Sequence, residues 1–440
     1  MKVHRPLLVL LFLLIGARPF HAQEDWFRTG INLGMERIRL AIARFEPQSV
    51  QQPLVSGANV FNEVLRNDLD NAGIFDLVSP SFHPLKNPRT PPEVDFEVWS
   101  GPPIETQMLV FGSMETLRGN LVVTARVFDV RSPAKPTVLA KRYVTALTDN
   151  AARQTAHRLA DEIILNLGGG LPGINSSRIA FVSKRSGNEE IMVMDYDGHN
   201  QVPITRYRSQ CLTPRWSPDN TKLAFTSYAS GNPQIYIHSL ETNRRIPFPS
   251  YRGLTTTPAF SPDGKKIAFC SSMSGDPELY VSDTRGFDLR RLTYTRGVDI
   301  SPVWNPRTGT EIAFISDRAG GPQLYILDAA GANLRRVITQ GGDVANPSWS
   351  PNGQFLAFAW SVRETGHYDI YVLEIATSRV IQLTHDAGRN ERPSWAPDGR
   401  HIVFESTRTG VRQVWMMLSD GSNPQQLTTK GRNWGPVWSK

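Results

Sequence analysis

Beyond residue 177 the chain repeats itself with a period near 44 residues, and this repeat restricts the fold more tightly than any other feature. A Pro-x-aromatic block recurs as Pro214-Arg215-Trp216, Pro258-Ala259-Phe260, Pro302-Val303-Trp304, Pro347-Ser348-Trp349, Pro393-Ser394-Trp395 and Pro436-Val437-Trp438. A second marker, a small residue followed by Phe, keeps step at Phe181, Phe225, Phe269, Phe314, Phe358 and Phe404. Two markers holding phase over six copies identify one supersecondary unit used six times, and β-rich units of this length are propeller blades.

Each unit reads as four strands. The turn Ser261-Pro262-Asp263-Gly264 sets φ with Pro, bonds its own backbone with Asp and takes positive φ with Gly, and it recurs as Ser350-Pro351-Asn352-Gly353 and Ala396-Pro397-Asp398-Gly399. Third strands are expected at Leu279-Tyr280-Val281, Leu324-Tyr325-Ile326, Ile370-Tyr371-Val372 and Val414-Trp415-Met416. Fourth strands are expected to carry Leu292-Thr293, Ile338-Thr339, Leu383-Thr384 and Leu427-Thr428. Residues 177 to 206 supply strands two to four of a unit that lacks a first strand, and Pro436 to Ser439 supply a first strand with nothing after it. The ring is therefore expected to close through the C-terminal strand.

The segment before the repeat differs in kind. Strand patterns at Arg37 to Phe45, Ile74 to Val78, Met108 to Glu115, Asn120 to Val130 and Val138 to Thr145 alternate with helical ones at Leu54 to Ala72 and Ala151 to Leu167, the latter expected to be capped by Asp149 or Asn150. The fold class predicted is an α+β N-terminal domain at 23–172, ending in the breaker-rich Gly168 to Gly173, followed by an all-β six-bladed propeller at 173–440. Residues 1–22, with Lys2 and Arg5 ahead of the apolar run Leu7 to Ile15 and a small-residue exit at Ala22, read as a cleavable signal peptide. The run is too short to span a bilayer, which takes about 20 apolar residues. An exported chain without membrane insertion is expected, and with no Cys after the leader a lipid anchor is not.

Charge bears on partners. Losing the leader lowers the formal charge from +7 to +4, and the balance is −2 over residues 23–172 and +6 beyond. In an exported chain without a nucleic-acid motif this basic propeller is suited to acidic protein surfaces, and no nucleic-acid partner is expected.

The heptapeptide Asp195-Tyr196-Asp197-Gly198-His199-Asn200-Gln201, the Ser-Pro-Asp turns and the small front domain together make the chain resemble the TolB family, periplasmic propellers of the Tol-Pal system. The resemblance implies a non-catalytic monomer that needs no cofactor or metal. It further implies docking of a Pal-like peptidoglycan-associated lipoprotein at the propeller mouth, binding of a TolA-like inner-membrane protein by the N-terminal segment, and support of outer-membrane integrity and cell division. On this chain the TolA-like segment offers Trp26, Phe27, Arg28, Ile31 and Leu33. The loops before each Pro-x-aromatic strand offer Arg208, Tyr251, Arg252, Arg296, Asp299, Asp343, Arg389, Glu391, Arg432 and Trp434 for the Pal-like partner.

Enzymatic alternatives need chemistry of their own. A hydrolase would need a Gly-x-Ser-x-Gly elbow, which does not occur. A channel lyase or glycosidase would need paired carboxylates, for which Asp299, Asp343 and Glu391 are the candidates. Asp195-x-Asp197-Gly198 lacks the frame of a calcium loop and is expected to be a β-turn. Cys211, expected in a loop, and Cys270 are near enough in the repeat for a disulfide without requiring one.

Overall fold

A five-stranded sheet organises the N-terminal domain, with β1 (Ile38–Ile42), β2 (Phe75–Leu77), β3 (Met108–Leu117), β4 (Asn120–Asp129) and β5 (Thr137–Ala146) in the order β2-β1-β3-β4-β5. β1 runs parallel to β2 and β3, and β3, β4 and β5 form an antiparallel meander. The computed structural model describes residues 36–362, 366–385 and 387–440. The expected leader and the candidate segment Trp26, Phe27, Arg28, Ile31 and Leu33 lie outside the described residues.

Two long helices, α1 (Gln52–Asn71) and α3 (Asp149–Leu167), cover one face of the sheet, because Phe61, Leu65 and Leu69 of the first and Leu159, Ala160 and Ile163 of the second recur at helical spacing and bury together. The short α2 (Phe96–Ser100) lies between them in the chain and was not foreseen. Its Asp95 cap accepts the N–H groups of Glu97 and Val98, and it buries Trp99 against Phe111 and Phe128 on the opposite sheet face. The cap of α3 is Thr148, not Asp149 or Asn150. Thr148 is extended and its Oγ1 accepts from Ala151 N at 3.2 Å, whereas Asp149 is already helical and accepts from Ser56 Oγ at 2.9 Å.

The remaining chain forms six four-stranded sheets among the described residues. Their inner strands are Cys211–Trp216, Thr255–Phe260, Asp299–Trp304, Asp343–Trp349, Asn390–Trp395 and Asn433–Trp438, numbered here blades I to VI. Blade VI is composite: Asn433–Trp438 pairs antiparallel with Arg178–Ser183, so the C-terminal strand closes the ring as expected. Among the described residues no helix is long and apolar enough to cross a membrane.

Two expectations about the blades need correction. The outer strands stop at Arg291, Gln382 and Gln426, immediately before the Leu-Thr pairs, and at Arg336, with Val337 intervening before Ile338-Thr339. The Thr side chain explains the stop, since in four blades it takes over from the backbone ladder: Thr205, Thr293, Thr384 and Thr428 Oγ1 accept from Ile191, Leu279, Ile370 and Val414 N at 2.8, 3.0, 2.9 and 2.9 Å. Cys211 is the first residue of an inner strand rather than a loop residue, and both it and Cys270 are buried and unbridged.

Candidate functional site: the propeller channel and its two ends

The inner strands explain the Pro-x-aromatic block. Each breaks register with its neighbour at a bulge, where Thr213, Thr257, Ser301, Asn346, Arg392 and Gly435 take φ between 50° and 58°. The following Pro has no N–H to lose from the ladder, so a bulge tolerates it. In three blades the aromatic residue bolts its blade to the preceding one, as Trp216, Trp304 and Trp349 Nε1 donate to Val437, Ala259 and Val303 carbonyls at 3.0, 3.1 and 3.2 Å; Trp438 Nε1 instead reaches Ser177 Oγ at 2.6 Å within the composite blade VI.

Six such strands enclose an axial channel of about 730 Å³. Its wall carries Lys184, Arg215, Arg392, Arg412, Arg432 and Lys440. Glu189 is the single carboxylate among the described lining residues. Arg215 donates to the Pro214 carbonyl at 2.9 Å and has no ion-pair partner among the described residues. Burial, and secondarily the neighbouring Arg392 charge, push its guanidinium down to about 10, so it stays charged at neutral pH.

One face of the propeller carries the N-terminal domain. That domain rests on the turns that follow the first and third strands of blade V and the third strand of blade VI. Tyr196 Oη donates to Asp68 Oδ1 at 2.7 Å, His157 Nδ1 meets Asp68 Oδ2 at 2.7 Å, and Arg153 pairs with Asp197. Asn200 Nδ2 donates to Asn150 Oδ1 at 3.0 Å, and Gln425 Nε2 and His401 Nε2 hold Asn71 at 2.7 and 2.9 Å. The heptapeptide is therefore a β-turn, as expected, but its side chains build the domain junction. Ligand atoms of Asp68, His157 and Asp197 lie within 4.8 Å of one another, a spacing open to a metal, yet Arg153 already supplies the positive charge there. Burial pushes the Asp68 carboxyl above its ordinary range against the pull of His157 and Tyr196.

The opposite face carries the loops between blades, where Arg208, Tyr251, Arg252, Arg296, Arg389 and Arg432 lie, whereas the candidates Asp299, Asp343, Glu391 and Trp434 belong to the inner strands that follow. Arg208, Arg252, Arg296, Asp343, Arg389 and Arg432 are exposed, and Arg432 and Trp434 also line the channel. Arg389 Nε pairs with Glu391 at 2.6 Å, and Glu391 in turn faces Arg412 at 3.7 Å. Tyr251 is spent on packing, its ring stacked on Phe269 at 5.6 Å and its hydroxyl donating to Gly286 O at 2.6 Å. Asp299 is 0% exposed beneath the rim, where Arg318 Nη2 donates to it at 2.7 Å. That contact belongs to a device found in three blades: Arg185, Arg318 and Arg408 each donate to the Ser ending a second strand and to the residue opening the inner strand. The rim is thus mixed but dominated by exposed arginines. Sequence reasoning missed Arg215, Arg392 and Arg412, although the first two sit in or beside the Pro-x-aromatic block.

Comparison with known proteins agrees with this architecture. The TolB beta propeller domain matches residues 168–362 and 341–440, and the TolB amino-terminal domain matches residues 31–135. The chain is 34% identical over 220 residues to the Tol-Pal system protein TolB of Desulfosudis oleivorans, covering 49% of this chain and 48% of that one. It is 33% identical over 220 residues to that of Nitrosospira multiformis, covering 48% and 45%. The chain thus spans about half the length of the curated relatives it matches. The crystal structure of TolB from Acinetobacter baumannii superposes with a TM-score of 0.77 at 26% identity, covering 92% of this chain and 97% of the other.

Proposed function

Because this chain belongs to the TolB family, we propose that it is a non-catalytic interaction scaffold of the Tol-Pal system in the periplasm. A Pal-like peptidoglycan-associated lipoprotein docks at the open channel mouth, and a TolA-like inner-membrane protein binds residues 23–34, a division of labour serving outer-membrane integrity and constriction at division. The observation that carries this reading is the asymmetry of the propeller. The N-terminal domain packs on one face, against blades V and VI, and the loops of the opposite face leave Arg208, Arg252, Arg296, Arg389 and Arg432 exposed. A rim weighted toward positive charge steers encounter with an acidic surface.

Affinity capture from envelope extract tests it, with the chain lacking residues 1–22 as bait. The expected result is recovery of a peptidoglycan-anchored lipoprotein by the unaltered bait and its loss with the double variant Arg252→Glu, Arg296→Glu. Deleting residues 23–34 should remove the inner-membrane partner. Lipoprotein recovery indifferent to the rim reversal, or turnover of a glycan or peptide by the purified chain, would overturn the reading.

A further inference from the structure

Two ring positions of the channel wall combine in one place. The middle residue of the Pro-x-aromatic block is Ala259, Val303, Ser348, Ser394 or Val437 in five blades and Arg215 in blade I. The residue before the Pro is Thr213, Thr257, Ser301, Asn346 or Gly435 in five blades and Arg392 in blade V. Blade VI lies between these two, and at both levels it presents Gly435 and Val437, which leave a notch in the wall. Five side-chain-bearing residues hold the equivalent positive φ in the other blades, so Gly435 is set apart by the space it leaves, where a Cβ would sit in ordinary contact at 3.5 Å from Arg392 Cδ.

The charges around the notch do not balance. Arg392 Nη1 donates to Glu405 at 2.9 Å, but Glu405 also accepts from Gly435 N at 2.8 Å and faces Arg412 at 3.7 Å, so one carboxylate is shared by two guanidinium groups. Arg215 has no carboxylate at all among the described residues and spends one hydrogen bond on its neighbour's carbonyl. Counting Arg389 and Glu391, which complete the same network, leaves four cations against two anions. A part-buried guanidinium without a counter-charge gives up hydration with no ion pair in return, so a wall that keeps one needs a reason other than folding. The fork of N–H donors on Arg matches the two oxygens of a carboxylate or phosphate group.

We propose that the channel is a binding site for a small oxyanion, held in the blade VI notch between Arg215 and Arg392 with the indoles of Trp395 and Trp438 as its apolar flank. The site lies inside the propeller and does not depend on which protein docks at the mouth.

Calorimetric titration of the full chain at low ionic strength, with inorganic phosphate and separately with citrate, tests this. One saturable event per chain is expected, weakened about tenfold or more in Arg215→Met and Arg392→Met and unchanged in Arg244→Met, an exposed arginine on the outer strand of blade I. Arg215→Met strands no carboxylate, so it should fold and, without ligand, melt no lower than the unaltered chain. Tighter binding of phosphate assigns the site to phosphoryl groups, and tighter binding of citrate assigns it to carboxylates. Absence of saturable binding for both anions, or affinity undiminished in Arg215→Met, would overturn the proposal.

Discussion

At the scale of single residues, the junction between the domains turns on Tyr196, whose ring is 0% exposed and whose hydroxyl donates to Asp68. Tyr196→Phe keeps the packing but removes the donor, leaving a buried carboxylate oxygen short of a partner, and should cost about 1–3 kcal/mol. An unchanged urea midpoint would contradict this. The turn residue Asp263 makes a complementary case. Bonds from the Ser261 hydroxyl and the Lys265 N–H hold its carboxyl below the ordinary range. A carboxyl depressed in the folded state adds stability above its unfolded value, about 4, and loses it as pH falls through the folded value. Blade IV places Asn352 in the same bonds, with Ser350 Oγ at 2.6 Å and Gln354 N at 3.1 Å. Asp263→Asn should therefore be nearly neutral at pH 7 and remove this turn's share of the acid sensitivity, whereas Asp263→Ala should cost about 1 kcal/mol at pH 7. Melting curves at pH 7 and pH 3 separate the two outcomes. These roles differ in how far sequence reveals them. The Asp263 turn is local and could be read directly, but Tyr196 needs Asp68, which lies 128 residues upstream, and no spacing within the heptapeptide points there.

At the scale of elements, the strands and both long helices were legible because burial on one face writes a period of 2 or 3.6 into the sequence. Caps and bulges were not, since they depend on backbone angles that several polar residues satisfy equally well. The expected caps were Asp149 and Asn150, and the structure selects Thr148 instead, the residue that is extended with its oxygen over Ala151 N. Thr148→Ala should cost about 1 kcal/mol. Asp149→Ala, which removes a first-turn acid and its bond to Ser56, should cost about 0.5 kcal/mol, so equal denaturation midpoints for the two variants would contradict the assignment. The channel arginines were hidden for a related reason. Strict alternation fails across a bulge, and the side of the strand on which Arg392 falls cannot be counted from Trp395 alone.

At the scale of the whole molecule, phase arithmetic on the repeat was enough to place the seam of the ring, because a propeller with a strand missing at one end and surplus at the other has one way to leave no open edge. The seating of the N-terminal domain on blades V and VI had no such arithmetic, since it is set by side chains drawn from two separately patterned halves. The seam carries the last prediction. Along Asn433–Trp438, Trp434, Val437 and Trp438 pair with Val182, Ala180 and Ile179, Trp438 donates to Ser177, and Val437 O accepts the indole of Trp216 in the next blade. Deleting residues 435–440 would strip Arg178–Ser183 of its inner neighbour, presenting an apolar edge whose Ile179, Ala180, Phe181 and Val182 are all buried in the closed ring. It would also unbolt blade I from blade VI. The truncated chain should melt well below the full one and elute as higher-order species, because a bare strand edge of this composition is a template for pairing with another copy. Trp438→Phe, which keeps the strand and removes only the indole bond to Ser177, should stay a monomer with a loss of about 1 kcal/mol. Monomeric elution and an unshifted melting point for the truncated chain would mean that the ring does not depend on this seam.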